Sequence, residues 1–171
     1  MTSSSSKFNF VFEYAILTKA LGPLDFCTLK TIKDELKTNA ACINSDLGSG
    51  AHGHLGLILD PVEYDKVATG TPYIRHPMPA AISFASNTPQ HEVTRRRDDF
   101  KEEKRLFKEM IALEKSLLQQ LSNALPTMYL KQFRSKDSNA IDKPISFILS
   151  HLFLNYGSVT EEQLLDEEAK L

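Results

Sequence analysis

The chain has 171 residues, with 20 Lys and Arg against 22 Asp and Glu and a formal net charge of −2. That length suffices for one ordinary domain, or two small lobes, with a real core, which excludes a chain disordered throughout. The near-balance of charge excludes a global field that would drive binding to nucleic acid or to a membrane surface, so any such binding must be local.

Residues 1–7, MTSSSSK, are expected to form a disordered tip. The apolar stretch that follows is interrupted by Asn9, Glu13, Thr18 and Lys19. It offers neither the uncharged core of a signal peptide nor the roughly twenty apolar residues of a membrane span. Two cysteines, Cys27 and Cys42, without a C-x-x-C pair, fit a reduced chain. A soluble, cytoplasmic protein with no membrane partner is expected.

From residue 8 to 15, Phe8, Phe10, Phe12 and Tyr14 alternate, a period of two that favours a short strand over the start of a helix. After Gly22-Pro23, the spacing of Leu29, Ile32, Leu36 and Ala40 predicts an amphipathic helix over about 25–42. Residues 44–56 read as loop. LGLILD, residues 55–60, reads as a short strand closed by Asp60, which would cap a small helix beginning at Pro61. Residues 8–70 are therefore assigned to an N-terminal lobe with a minor β element.

Pro72, Pro77, Pro79 and Pro89 exclude a continuous helix and make residues 71–90 an extended, Pro-rich connector. Residues 91–125 contain no Gly or Pro and carry Phe100, Phe107, Met110, Ile111, Leu117, Leu118, Leu121 and Leu125 at helical spacing. A long central helix follows from this stripe. Three short helices are expected after it, over 126–133, over 144–156 with Asp142 as a start signal and Gly157 as its end, and from Glu161 onward with Thr160 as a start signal. The middle one, apolar nearly all round, should be buried at the centre of a helical C-terminal lobe, 91–171. The expected fold is mainly α.

The segment GSGAHGHLG, residues 48–56, contains G-x-G-x-x-G and a histidine pair. A dinucleotide fingerprint needs a strand before the first glycine and a helix at the last, so that phosphate meets free helical N–H groups. Here that order is reversed, and no Lys-Ser/Thr pair follows as in a Walker loop. Gly48, Gly50, Gly53 and Gly56 are better read as turn residues. On a strand, His52 and His54 would face one side and could share a metal, but His76, His91 and His151 lack supporting spacing and no carboxylate cluster accompanies them.

Arg95, Arg96 and Arg97 form the one basic run of note, and it could touch phosphates. Asp98, Asp99, Glu102 and Glu103 follow at once, and no aromatic residue is interleaved to stack bases, so a solvated helical face is expected. A nucleophile with a neighbouring base, G-x-S-x-G, H-E-x-x-H and D-[ST]-G are all missing; Ser49 lacks the strand-to-helix elbow. No enzyme activity, cofactor, metal or small-molecule substrate is expected.

In order, TLKTIKDELKTNAACINSDLGSGAHGHLGLILDPVEY, the Pro-rich connector, the long polar helix, LLQQLSNALPTMYLKQF and ISFILSHLFLNYGSVTEEQLLDEEAKL resemble the Gag-like polypeptide of copia-type LTR retrotransposons, from about Pro23 to Leu171. The resemblance implies a helical, capsid-like structural protein that self-associates into particles around the element's RNA. It also implies that GSGAHGHLG is a structural family loop. A nucleocapsid zinc knuckle, which such proteins often carry, is not in this sequence, so RNA would be packaged through a missing C-terminal region, another protein or weak basic patches. Phe153, Tyr156, Leu164 and Leu165 are the candidate oligomer-interface residues. The alternative is a monomeric helical adaptor that presents its long helix to another protein.

Overall fold

A computed structural model describes residues 8–157. The Ser-rich tip and the expected last helix, with Leu164 and Leu165, lie outside the described residues. The fold is mainly helical: α1 (Phe26–Ala41), α2 (Pro61–Val67), the long α3 (Gln90–Ala124) and α4 (Ile145–Tyr156).

Helix α1 starts where Asp25 accepts the Thr28 N–H at 2.8 Å, satisfying one of the free donors of the first turn. Leu29, Ile32 and Leu36, spaced three and four apart, are fully buried on one face. Helix α3 is about 52 Å long at 1.5 Å per residue. Its second half buries Met110, Leu113, Leu117 and Leu121 against α1 and α4. Its first half is mostly exposed. Residues from both expected lobes, α1 in one and α3 and α4 in the other, thus share one hydrophobic cluster.

The expected β element does not form: among the described residues there is no sheet, only one isolated bridge between Arg134 and Ile141. Residues 8–12 have no regular structure and bends follow at Glu13 and Ala15, while Phe8, Phe10 and Phe12 stack in a row with centroids 6.2 and 6.1 Å apart. Their backbone, however, meets helix side chains instead of a second strand. The Tyr14 N–H donates to Asn39 Oδ1, Asn39 Nδ2 donates to Tyr14 O, and Gln120 Nε2 donates to Tyr14 O and Ala15 O.

The second expected strand, 55–60, is a 3₁₀ turn at Leu55–Leu57 leading into the cap of α2. A strand would place Leu55, Leu57 and Leu59 on one face; instead Leu57 and Ile58 join the main core while Leu55 and Leu59 join Tyr64 in a smaller cluster. That sorting is helical, and it lets Leu55, Leu57, Ile58 and Leu59 all be buried. Asp60 and Glu63 then form a capping box at α2.

Residues 126–133 form two 3₁₀ turns, Thr127–Tyr129 and Lys131–Phe133, where one helix was expected. Helix α4 begins after Pro144 with no side-chain cap, so Asp142 does not start it, and Gly157 ends it. Nor is α4 wholly buried. Ile145, Ile148, Leu149 and Leu152 face the core, whereas Phe147 is 49% and Leu154 82% exposed.

Candidate functional site

The glycine and histidine loop is built on the end of α1. The Ala40 carbonyl in the last turn, which also accepts the Ile43 N–H at 3.4 Å, accepts the His54 N–H at 3.0 Å, which pins the loop to the helix. Gly53 makes this approach possible. Its φ is +54°, and a Cβ there would overlap the carbonyls of Ala41 and Ile43. Gly48 and Gly56 serve a different need, since a Cβ would collide with the Tyr64 side chain at the first and the Tyr73 ring at the second. Gly50, with φ +74° and nothing closer than 3.7 Å, supplies only the turn. The glycines therefore admit two tyrosine rings and a helix end.

The positive φ at Gly53 also breaks the strand geometry that would have aimed both imidazoles one way. His52 meets Tyr64 edge-on at 6.5 Å, and His54 meets Tyr73 at 6.1 Å. Tyr64 and Tyr73 are themselves 5.8 Å apart, which links four rings in a chain. His54 is 3% exposed, and its Nδ1 is 2.8 Å from Tyr73 Oη. His54 Nε2 and Tyr64 Oη are buried without a hydrogen-bond partner among the described residues.

Burial holds the His54 imidazole down at a pKa of about 4; His76 lowers it further, while Asp46 and the Asn44 backbone oppose the shift. The same burial raises Tyr73 above the ordinary phenol range. A neutral imidazole facing a protonated phenol makes Tyr73 the donor to Nδ1 and leaves the ring proton on Nε2. This is a packed clasp between the loop and the connector.

His76 Nε2 lies 3.5 Å from Asp46 Oδ1, while His91 is on the first turn of α3 and His151 on α4 against the Phe133 ring. No group of three His, Cys, Asp or Glu residues among the described residues is placed to hold a metal ion. Ser49 is exposed and its Oγ accepts the Ala51 N–H at 3.3 Å, a turn contact.

The connector runs back along α3. Arg75 donates to both carboxylate oxygens of Glu114, from Nη1 at 2.6 Å and Nη2 at 2.9 Å. Farther on, Phe84 lies against the basic run. Arg96 Cζ is 4.9 Å and Arg97 Cζ 5.6 Å from its ring centroid. The sequence lacks an aromatic residue inside the run, and the tertiary structure brings one to it.

Of the interface candidates, Phe153 is half-buried against the Phe26 ring at 6.0 Å, with Lys33 Nζ 5.4 Å from its centroid. Tyr156 meets Tyr129 edge-on at 5.0 Å and keeps one side exposed. The outer stripe of α4 belongs instead to Phe147, His151 and Leu154, spaced four and three apart. Sequence reasoning also passed over Asn39, although it stands seven residues after Ile32 and three after Leu36, on the buried stripe of α1.

No helix among the described residues is long and apolar enough to cross a membrane. Comparison of the chain with protein-family models, with characterised proteins and with solved structures finds no match.

Proposed function

We propose that this chain is a Gag-like, capsid-like structural protein that self-associates into particles around RNA. The observation that supports this reading is the outer stripe of α4. Phe147 and Leu154 stand on the same side of a helix whose opposite side is locked in the core, and both remain exposed. A rigidly held apolar stripe is suited to pairing with another copy, and weak contacts of this kind become decisive when many close a shell. The sequence resemblance to copia-type Gag polypeptides points the same way.

The reading is tested on the full chain without RNA, by multi-angle light scattering and negative-stain microscopy across salt and concentration. Concentration-dependent assembly of the wild type, lost in Phe147→Glu with Leu154→Glu while the helical circular dichroism is kept, is the expected result. A wild-type chain that stays monomeric throughout overturns it, and a one-to-one complex with a different protein would then favour the adaptor.

A further inference from the structure

We infer that the exposed first half of α3, together with Phe84 of the connector, forms a binding platform for single-stranded nucleic acid. Counting about 100° per residue, Val93, Arg97, Phe100 and Lys104 fall on one stripe with Arg96 beside it. Arg95 falls on the opposite side, with Asp98, Asp99 and Glu102. Helical geometry therefore puts Arg97, Phe100 and Lys104 on one face and Arg95 with three carboxylates on the back, while Arg96 stands at the edge beside Glu92 and Glu103.

Two contacts mark that face. Phe84 carries the guanidinium groups of both Arg96 and Arg97, and Lys104 Nζ lies 5.9 Å from the Phe100 centroid. Phe84, Phe100, Arg96 and Lys104 are half-buried and Arg97 is exposed, so rings and cations are held in place yet reachable. Among the described residues Arg96, Arg97 and Lys104 enter no ion pair, whereas Arg75, Arg105 and Lys33 all do. Cations that enter no ion pair, set beside two aromatic rings, match the needs of a single strand: phosphates for the charges and base faces for the rings or the guanidinium planes.

A duplex hides its base faces in the stack, so the single-stranded form is favoured. An anionic membrane would use the charge but has no base to offer the rings. The inference rests on the assembly reading for its purpose, since it names the polymer that a shell would hold. It does not share that reading's interface, because the platform is on α3 and the apolar stripe is on α4.

The test is fluorescence anisotropy with a labelled 15-nucleotide oligouridylate and dilute full-length protein, titrated from 50 to 200 mM salt. Arg96→Gln with Arg97→Gln is expected to weaken binding at least tenfold and to reduce the slope of log K against log salt by about 1.4, at roughly 0.7 per phosphate contact on a single strand. Phe84→Ala is expected to weaken binding by about five- to tenfold with the slope unchanged, Phe84→Tyr to bind like wild type, and Arg95→Gln to stay within twofold. Circular dichroism and urea midpoints establish that each variant is folded.

Three results would each overturn the inference. They are absence of wild-type binding at 50 mM salt, equal losses for Arg95→Gln and the Arg96/Arg97 pair with none for Phe84→Ala, and equal affinity for a duplex of the same length. Binding to phosphatidylserine vesicles in place of the oligonucleotide would likewise reassign the face to lipid. A monomeric protein that binds RNA as described leaves this inference standing while the assembly reading fails.

Discussion

The Asn39 side chain on α1 holds both backbone groups of Tyr14. Its Oδ1 accepts the Tyr14 N–H at 2.9 Å and its Nδ2 donates to Tyr14 O at 2.9 Å, a pairing that a neighbouring β-strand would otherwise supply. Nδ2 also donates to Gln120 Oε1 on α3, and one turn earlier on α1 the Glu35 carboxylate accepts the Thr18 N–H. The amide is fully buried, so each bond it makes is one that water cannot replace.

Asn39→Leu keeps the size of the side chain and removes all three bonds. It is expected to lower stability by about 3 kcal/mol, since groups on Tyr14 and Gln120 lose their partner. Urea unfolding gives the magnitude. Native-state hydrogen exchange at Tyr14 supplies the specific readout, and unchanged protection there would contradict the role assigned to Asn39.

The glycines of the loop separate by mechanism. Gly50→Ala meets only the strain of a positive φ and is expected to cost about 1–2 kcal/mol. Gly53→Ala adds a Cβ driven into two carbonyls at the end of α1, and about 4 kcal/mol or more is expected. Thermal or urea midpoints of the two variants, compared side by side, check the difference; equal losses would mean that the close approach at Gly53 is not the constraint.

His54 makes stability depend on pH. Its folded pKa of about 4 lies below the unfolded value of 6.5, so between them the unfolded chain binds a proton that the folded chain refuses. Stability should therefore be intact above about pH 6.5, fall as pH drops through that window, and level off below about 4. The loss from this residue is about 3 kcal/mol. In His54→Phe the decline over the same window should be shallower. Chemical-shift titration of the His54 ring provides the direct measurement, and a midpoint near 6.5 would remove the effect.

The Arg75–Glu114 pair fastens the connector to α3 through a bidentate contact in which Glu114 is largely buried and Arg75 is partly exposed. A double-mutant cycle with Arg75→Ala and Glu114→Ala should give a coupling of about 1 kcal/mol that shrinks as salt rises. Cleavage between residues 71 and 88 by a nonspecific protease should be faster in either single variant. Equal cleavage rates would mean that Tyr73 and Phe84 hold the connector unaided.

Where one signal dominated, the sequence was legible. Sustained 3.6-residue periodicity without Gly or Pro located α1 and α3 to within a residue or so, and Asp60-Pro61 located the start of α2. Short apolar runs were not legible in this way. LGLILD and the alternating phenylalanines carried strand-like patterns, but a strand requires a second strand, and the neighbours that folding supplied were helices. The loop glycines were expected to form turns, and the rings that Gly48 and Gly56 admit, Tyr64 and Tyr73, stand 16 and 17 residues further along the chain.

The sequence by itself determined that this chain is mainly helical and that a long polar helix follows a proline-rich connector, because local periodicity and the missing N–H of proline act over a few residues. Only the tertiary structure decided that Asn39 would serve as a strand's partner, that His54 would be buried against Tyr73, that Phe84 would lie on Arg96 and Arg97, and which side of α4 would stay outside. Each of these depends on groups far apart in the chain being brought within a few ångströms, and that proximity is set by burial of the shared core, which no local pattern encodes.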